Sequence, residues 1–209
     1  MTDTRIAAII PVAPLEAAKS RLGGALDAEE RQDLAERLLS RTVATALDVE
    51  GLADVLVVSP DREVLARAAT LGARTLRQRT RGLNDGLREA RDDVVAGGAK
   101  AIVILPIDLP FVSVEAIGAV LQTIVPAGQS PAVVLVTDRH GTGTNVLALR
   151  PPSVIEFHFG PDSRRAHGDA AKVAGATYVE VDGALTFDLD TPADLVLVDS
   201  MAPEGIGAG

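Results

Sequence analysis

With 209 residues, the chain has room for one large domain or two small ones, and its core needs no covalent staples. It contains no cysteine, which excludes disulfides, thiolate metal sites and cysteine nucleophiles. A formal net charge of −9 and 2% aromatic residues argue against a protein that coats nucleic acid, because phosphate backbones select basic surfaces and single strands select stacking rings.

The first apolar run, residues 6–12, reads as a buried strand. It is too short for a membrane span or the apolar region of a signal peptide, so a cytoplasmic protein with no membrane partner is expected. Asp27 and Glu30 have the spacing of a capping box and open a helix to about Leu47, with Leu34, Leu38, Val43 and Leu47 near one face. Residues 55–59 form the next strand. Pro60 then falls in the first turn of a helix that Gly72 ends. A short strand at 73–76 and a basic loop at 77–82 lead to a helix over 83–95. The most apolar strand, 101–105, runs into Pro106-Ile107-Asp108-Leu109-Pro110, and Ser113 caps a helix to about Ile124. Strands at 132–137 and 145–149 flank a Gly/Thr loop. A helix near 163–174, a strand near 177–181 and a last helix after Asp190-Thr191-Pro192 complete the order.

Alternating strands and helices with near-continuous apolar strands predict an α/β fold, a mostly parallel sheet with helices on both faces. No linker divides the chain, so one domain over 1–200 is expected, with a fraying tail at 201–209 that is rich in Gly and Ala.

In such sheets, ligands sit beyond the carboxyl ends of the strands, and four segments fall there. Lys19 and Arg21 follow the first strand, where two cations can hold a nucleotide's phosphates; the glycines of a P-loop or a Rossmann turn are missing. Asp108 follows the most buried strand, where a carboxylate is costly unless it is paired or binds a metal, and it suits Mg²⁺; a turn-capping role is the alternative. Residues 141–144, Gly-Thr-Gly-Thr, offer backbone N–H groups and hydroxyls to an anion, or form a plain hairpin turn. Gly160 to Ser163 lie at a helix N-terminus, a second anion site to which Arg164 and Arg165 add charge. His140, His158 and His167 lie in or near this span and read individually as surface or hydrogen-bonded structural residues. In the fourth segment, Asp188 and Asp190 would share one face of a strand, one free to bind a metal and the other to cap the last helix.

The ordered set of segments resembles the guanylyltransferases of deazaflavin coenzyme biosynthesis, which act on phosphoenolpyruvate or 2-phospho-L-lactate. The resemblance runs from about Ile9 to Leu195. It is carried by Ala18-Lys19-Ser20-Arg21-Leu22, by 141–144, by Phe159-Gly160-Pro161-Asp162-Ser163 and by Asp188-Leu189-Asp190-Thr191-Pro192-Ala193-Asp194-Leu195. Leu83-Asn84 is similar to the family's Leu-Asn element near the nucleotide. The resemblance implies a GT-A-like nucleotidyltransferase fold and transfer of GMP from GTP to a phosphorylated three-carbon acid, with release of pyrophosphate. It implies Mg²⁺ on Asp108 and Asp188, the nucleotide on Lys19, Arg21 and Asn84, and the acid on Thr144, Gly160 and Ser163. The attacking phosphate oxygen would already be ionised, so catalysis would rest on Asp108, Asp188 and Lys19 through positioning and electrostatics. Many members carry Lys where this chain has Ala13. The acid itself, whether phosphoenolpyruvate, 2-phospho-L-lactate or 3-phospho-D-glycerate, is left open, as are a homo-oligomer and hand-over of the product to a downstream lactyl transferase.

Two other readings remain. A molybdopterin-type guanylyltransferase would carry a glycine-rich Leu-Ala-Gly-Gly loop where this chain has Pro11-Val12-Ala13-Pro14. A non-catalytic nucleotide-binding regulator would have little need for both Asp108 and Asp188.

Overall fold

A computed structural model describes residues 5–15, 22–125 and 130–201. Its order is β1 (Ile6–Pro11), α1 (Ala28–Leu47), β2 (Leu52–Ser59), α2 (Arg62–Thr70), β3 (Arg74–Arg77), α3 (Leu83–Ala96), β4 (Ala101–Ile104), α4 (Val114–Ile124), β5 (Ala132–Thr137), β6 (Thr144–Arg150), α5 (Ser163–Val173), β7 (Thr177–Glu180), a 3-10 turn (Ala184–Thr186) and α6 (Pro192–Met201). The strands form one sheet in the order β3-β2-β1-β4-β6-β5-β7. Every pairing is parallel except those of β6, which runs against both β4 and β5. The six residues between β5 and β6 explain this, because a parallel crossover needs a dozen or more.

Period-two alternation divides the strand side chains between two cores. Ala8 and Ile10 of β1, Val57 of β2, Val103 of β4 and Val134 of β5 face one core, with Leu34 and Leu38 of α1, Val64 of α2, Ile117 and Val120 of α4 and Val198 of α6. Ala7, Ile9, Leu56, Ile102, Ile104 and Leu147 face the other, with Leu87, Ala90 and Val94 of α3, Ala171 of α5 and Phe157. Leu38 is 1% exposed, so Leu38→Ala should cost about 2–5 kcal/mol. The expected helices on both faces are therefore present.

Helix starts follow local chemistry. Asp27 and Glu30 form the capping box: Glu30 N donates to Asp27 Oδ1 at 2.9 Å, and Asp27 N donates to Glu30 Oε2 at 2.8 Å. Ser113 Oγ accepts from Ala116 N at 3.1 Å and caps α4. Two expectations change. Pro60 precedes α2 and does not occupy its first turn; the N-cap is Asp61, which accepts from Glu63 N at 2.8 Å. Met201, expected in the tail, closes α6, and residues 202–209 lie outside the described residues. Among the described residues no helix is long and apolar enough to cross a membrane.

Candidate active site

The parallel strands gather their carboxyl ends along one edge, and β6, running the other way, contributes its first residue, Thr144, to the same edge. Thr144 pairs in register with Thr137, the last residue of β5.

Asp108 and Asp188 meet there although they are distant in sequence. Leu189 N donates to Asp108 O at 2.9 Å, which stitches the loop after β4 to the segment before α6. Residues 187–190 are not a strand, so Asp188 and Asp190 do not share a strand face as expected. Both Asp108 and Asp188 are half-buried. Burial pushes the Asp188 carboxyl above its ordinary value, its backbone hydrogen bond draws it part of the way back, and the charges of Asp108, Asp190 and Asp138 push it up again. A bound cation would relieve that stress. Among the described residues no group of three or more His, Asp or Glu is arranged to hold a metal. The carboxylate pair still fits Mg²⁺, which usually takes one or two carboxylates and completes its shell with substrate phosphates and water.

Asp194, in the first turn of α6, holds the backbone ahead of the helix. Its Oδ2 accepts from Asp190 N at 3.0 Å and from Thr191 N at 2.7 Å. Its other oxygen pairs with Arg139, whose guanidinium lies 5.1 Å from the Phe187 ring centroid. Arg139 thereby ties the β5–β6 hairpin to the start of α6.

Residues 141–144 do form a hairpin turn, and the turn is already occupied by a carboxylate. Thr142 N donates to Asp138 Oδ1 at 2.8 Å. Burial raises the Asp138 carboxyl, but bonds from the Gly143 and Thr142 backbone outweigh it, and the net shift is downward. The N–H groups of Thr142 and Gly143, expected to receive a ligand, thus serve Asp138. A Cβ on Gly143 would lie 3.0 Å from Asp138 Oδ2, so the glycine allows this close approach. An Asp directly after a strand and before a Gly/Thr loop is the signal for such a side-chain turn, and it was missed.

The two expected anion segments do come together. Arg164 N donates to Thr142 O at 3.1 Å, and Thr144 Oγ1 lies 3.0 Å from His167 Nδ1. Ser163 is 2% exposed at the start of α5, and its N donates to Gly160 O at 3.2 Å. Gly160 has φ +136°, where a side chain is strained, yet a Cβ there would meet nothing within 4 Å. The glycine is required by conformation and not by crowding. A cavity of about 300 Å³ opens between the hairpin and α5, lined by Gly141, Thr142, Asp162, Arg164 and Arg165.

Three cationic or polar expectations shift. Arg164 is bidentate on Glu180 at 2.9 and 3.0 Å and donates to Gly141 O at 2.9 Å, so it braces the hairpin against β7 and is not free charge for an anion. Arg165 is exposed and pairs with Asp169. Asn84 is committed to the backbone of Phe159, donating to its O at 3.0 Å and accepting from its N at 2.9 Å, so it holds the loop before Gly160. Lys19 and Arg21 lie outside the described residues. The segment that carries them is flanked by buried Leu15 and Leu22, and Leu15 N donates to Asp61 Oδ2 at 3.3 Å. Ala13 is exposed after β1.

The fold is that of a nucleotidyltransferase. It superposes on a Desulfovibrio desulfuricans protein described as a nucleotide-diphospho-sugar transferase with TM-score 0.78 and 17% identity, covering 99% of this chain and 90% of that one. Glucosyl-3-phosphoglycerate synthase from Mycobacterium tuberculosis, solved with Mn²⁺, uridine diphosphate and glucosyl-3-phosphoglycerate, matches with TM-score 0.60 and 12% identity over 92% of this chain and 75% of that one. The chain belongs to the family described as "Guanylyl transferase CofC like", which matches residues 6–200. It is 43% identical over 201 residues to phosphoenolpyruvate guanylyltransferase of Sphaerobacter thermophilus, covering 95% of this chain and 94% of the relative. It is 42% identical over 194 residues to the protein of the same name from Rubrobacter xylanophilus, covering 92% and 93%.

Proposed function

We propose that this chain transfers GMP from GTP to a phosphorylated three-carbon acid, phosphoenolpyruvate first and 2-phospho-L-lactate as the alternative. The observation that carries the reading is the meeting, at one sheet edge, of Asp108 and Asp188, whose carboxyl is pushed up, with the convergent segments 141–144 and 160–163. Family membership points the same way.

In this reading Asp108 and Asp188 hold Mg²⁺. When bound, the ion would neutralise charge between the two polyanionic substrates. Lys19 and Arg21 hold the triphosphate, and Thr144, Gly160 and Ser163 hold the acid. A phosphate oxygen of the acid forms the new bond to the α-phosphorus of GTP, and the bond from that phosphorus to the β-phosphate bridge breaks, releasing pyrophosphate. The nucleophile is ionised at neutral pH, so no general base is needed, and the residues contribute orientation and charge stabilisation. The reaction is placed in the cytoplasm.

The test is incubation with GTP, Mg²⁺ and each acid separately, with the product identified by mass. A downstream lactyl transferase is added in a parallel arm to draw off an unstable product. A guanosine-diphosphate-linked acid with matching pyrophosphate release is expected. Tight GTP binding with no adduct from any acid in either arm would overturn the reading in favour of a nucleotide-binding regulator.

A further inference from the structure

His167 is fully buried at 0% exposure, and both of its ring nitrogens have partners. Nε2 lies 2.9 Å from the backbone N of His158, and Nδ1 lies 3.0 Å from Thr144 Oγ1. A backbone N–H can only donate, so Nε2 must present its lone pair. The imidazole is neutral, because burial first and the neighbouring His158 second push its pKa down to about 4. A neutral ring carries one proton, and with Nε2 accepting, that proton is on Nδ1. Nδ1–H therefore donates to Thr144 Oγ1. The other tautomer would set two donors against each other at 2.9 Å.

From this hydrogen accounting we infer that His167 is a positioning residue, which fixes the half-buried Thr144 hydroxyl as a dedicated donor to an anionic oxygen of the acid substrate. A threonine hydroxyl has one hydrogen, and it cannot point at a nitrogen that is itself donating. The hydrogen is left for an acceptor on the open edge beside Gly160 and Ser163. Thr144 is thereby set to donate to an ionised phosphate or carboxylate. The ring also holds the backbone that leads to Gly160: His158 N is bonded to it, and the Phe159 ring packs edge-on with centroids 5.1 Å apart. One buried side chain thus aligns both halves of the acid site. The inference rests on the proposed function for the identity of the ligand, but not for the tautomer.

The experiment uses the full chain and has two independent arms. In the first, the ¹⁵N NMR spectrum of the His167 ring at pH 7 should show Nδ1 protonated and Nε2 unprotonated; the reverse pattern overturns the inference. In the second, calorimetry and pyrophosphate release give the affinity and KM for phosphoenolpyruvate and for GTP. His167→Leu should weaken the acid about tenfold with GTP changed less than about twofold, since a hydrogen bond to a charged group is worth about that factor. His167→Asn, whose amide N–H lies near the position of Nδ1, should recover most of the loss. Thr144→Val should cost about as much as His167→Leu, and the double variant little more than either, because one acts through the other. Effects that multiply in the double variant, or that fall equally on acid and GTP, overturn the inference. If His167→Leu does not fold, His167→Asn alone and combined with Thr144→Val decides the same point. If the wild-type chain makes no product, the proposed function fails, while the NMR arm and direct phosphoenolpyruvate binding still decide this inference.

Discussion

The two halves of the candidate site handle charge in opposite ways. Around Asp188, the charges of Asp108, Asp190 and Asp138 add to burial, and the Asp188 carboxyl is pushed up. Around α5, the charges that the sequence displays are already matched: Asp138 by backbone N–H groups, Arg164 by Glu180, and His167 by losing its proton. The first half has electrostatic stress that a cation would relieve. The second is a neutral, hydrogen-bonded frame, in which donors are directed by geometry and net charge plays little part.

The largest expected effect lies in the stressed half. Asp108→Asn and Asp188→Asn should each reduce pyrophosphate release by about a hundredfold or more at saturating Mg²⁺, because each removes a ligand that stabilises the transition state. The chain should remain folded, and without metal Asp188→Asn should raise the Tm, since it removes a buried charge that its neighbours repel. Near-normal rates in either variant would erase the contrast between the halves.

The halves also respond oppositely to pH. The His167 pKa is about 4 in the folded chain against an ordinary value of 6.5. The unfolded chain binds the extra proton first, so this contribution is complete above pH 6.5 and is lost as pH falls toward 4, amounting to roughly 3 kcal/mol at most. The folded-state pKa of Asp188 is raised, so the folded chain holds that proton longer, and its penalty appears as pH rises above the ordinary carboxylate range. Denaturant titrations from pH 7 to pH 4 should show the loss in the wild-type chain and a flatter profile in His167→Asn. Added Mg²⁺ should stabilise at pH 7 and have little effect at pH 4. Equal profiles with and without Mg²⁺ would remove Asp188 from the metal site.

Much of this organisation is legible in the sequence, and the parts that are not share one cause. Apolar runs and caps identify β1, β4 and α1 because strand burial and capping are local properties. Asp108, Thr144 and Ser163 are found as residues just past strand or loop ends, where any α/β sheet places its ligands. The roles of Asn84 and His167 depend on which backbone groups the tertiary fold brings within reach, whereas Asp138 has its own local signal in the Gly/Thr loop that follows it. That the backbone of Phe159 meets Asn84 has no local signature. Asp190 beside Thr191-Pro192 is the cap the sequence suggests, while Asp194, four residues on, turns back to hold Asp190 N and Thr191 N.

Asn84 gives the next effect. Its side chain satisfies both backbone groups of Phe159, so Asn84→Ala leaves a part-buried donor and acceptor unpaired and should cost about 1–3 kcal/mol. Denaturant unfolding measures the loss. Acid KM should rise with it, because Gly160 follows directly, while GTP affinity should change little. A selective fall in GTP affinity would return Asn84 to the nucleotide site.

Arg164 carries the smallest effect and separates a brace from a binder. Its guanidinium is about half exposed and bidentate on Glu180, which holds its pKa above the ordinary arginine value. Exposed pairs contribute little, because solvent screens them and two long side chains must be ordered. What Arg164→Ala removes besides the pair is the bond to Gly141 O; the backbone bond from Arg164 N to Thr142 O survives the substitution. The hairpin should therefore stay close to α5, and acid KM should rise by no more than about threefold, a change that low salt enlarges only slightly. A guanidinium bound directly to a phosphate or carboxylate of the acid would instead cost about tenfold or more and depend steeply on ionic strength. Measuring KM for phosphoenolpyruvate at two salt concentrations in the wild-type and Arg164→Ala chains decides between them. The larger, salt-sensitive loss would make the α5 half a charged binding site after all.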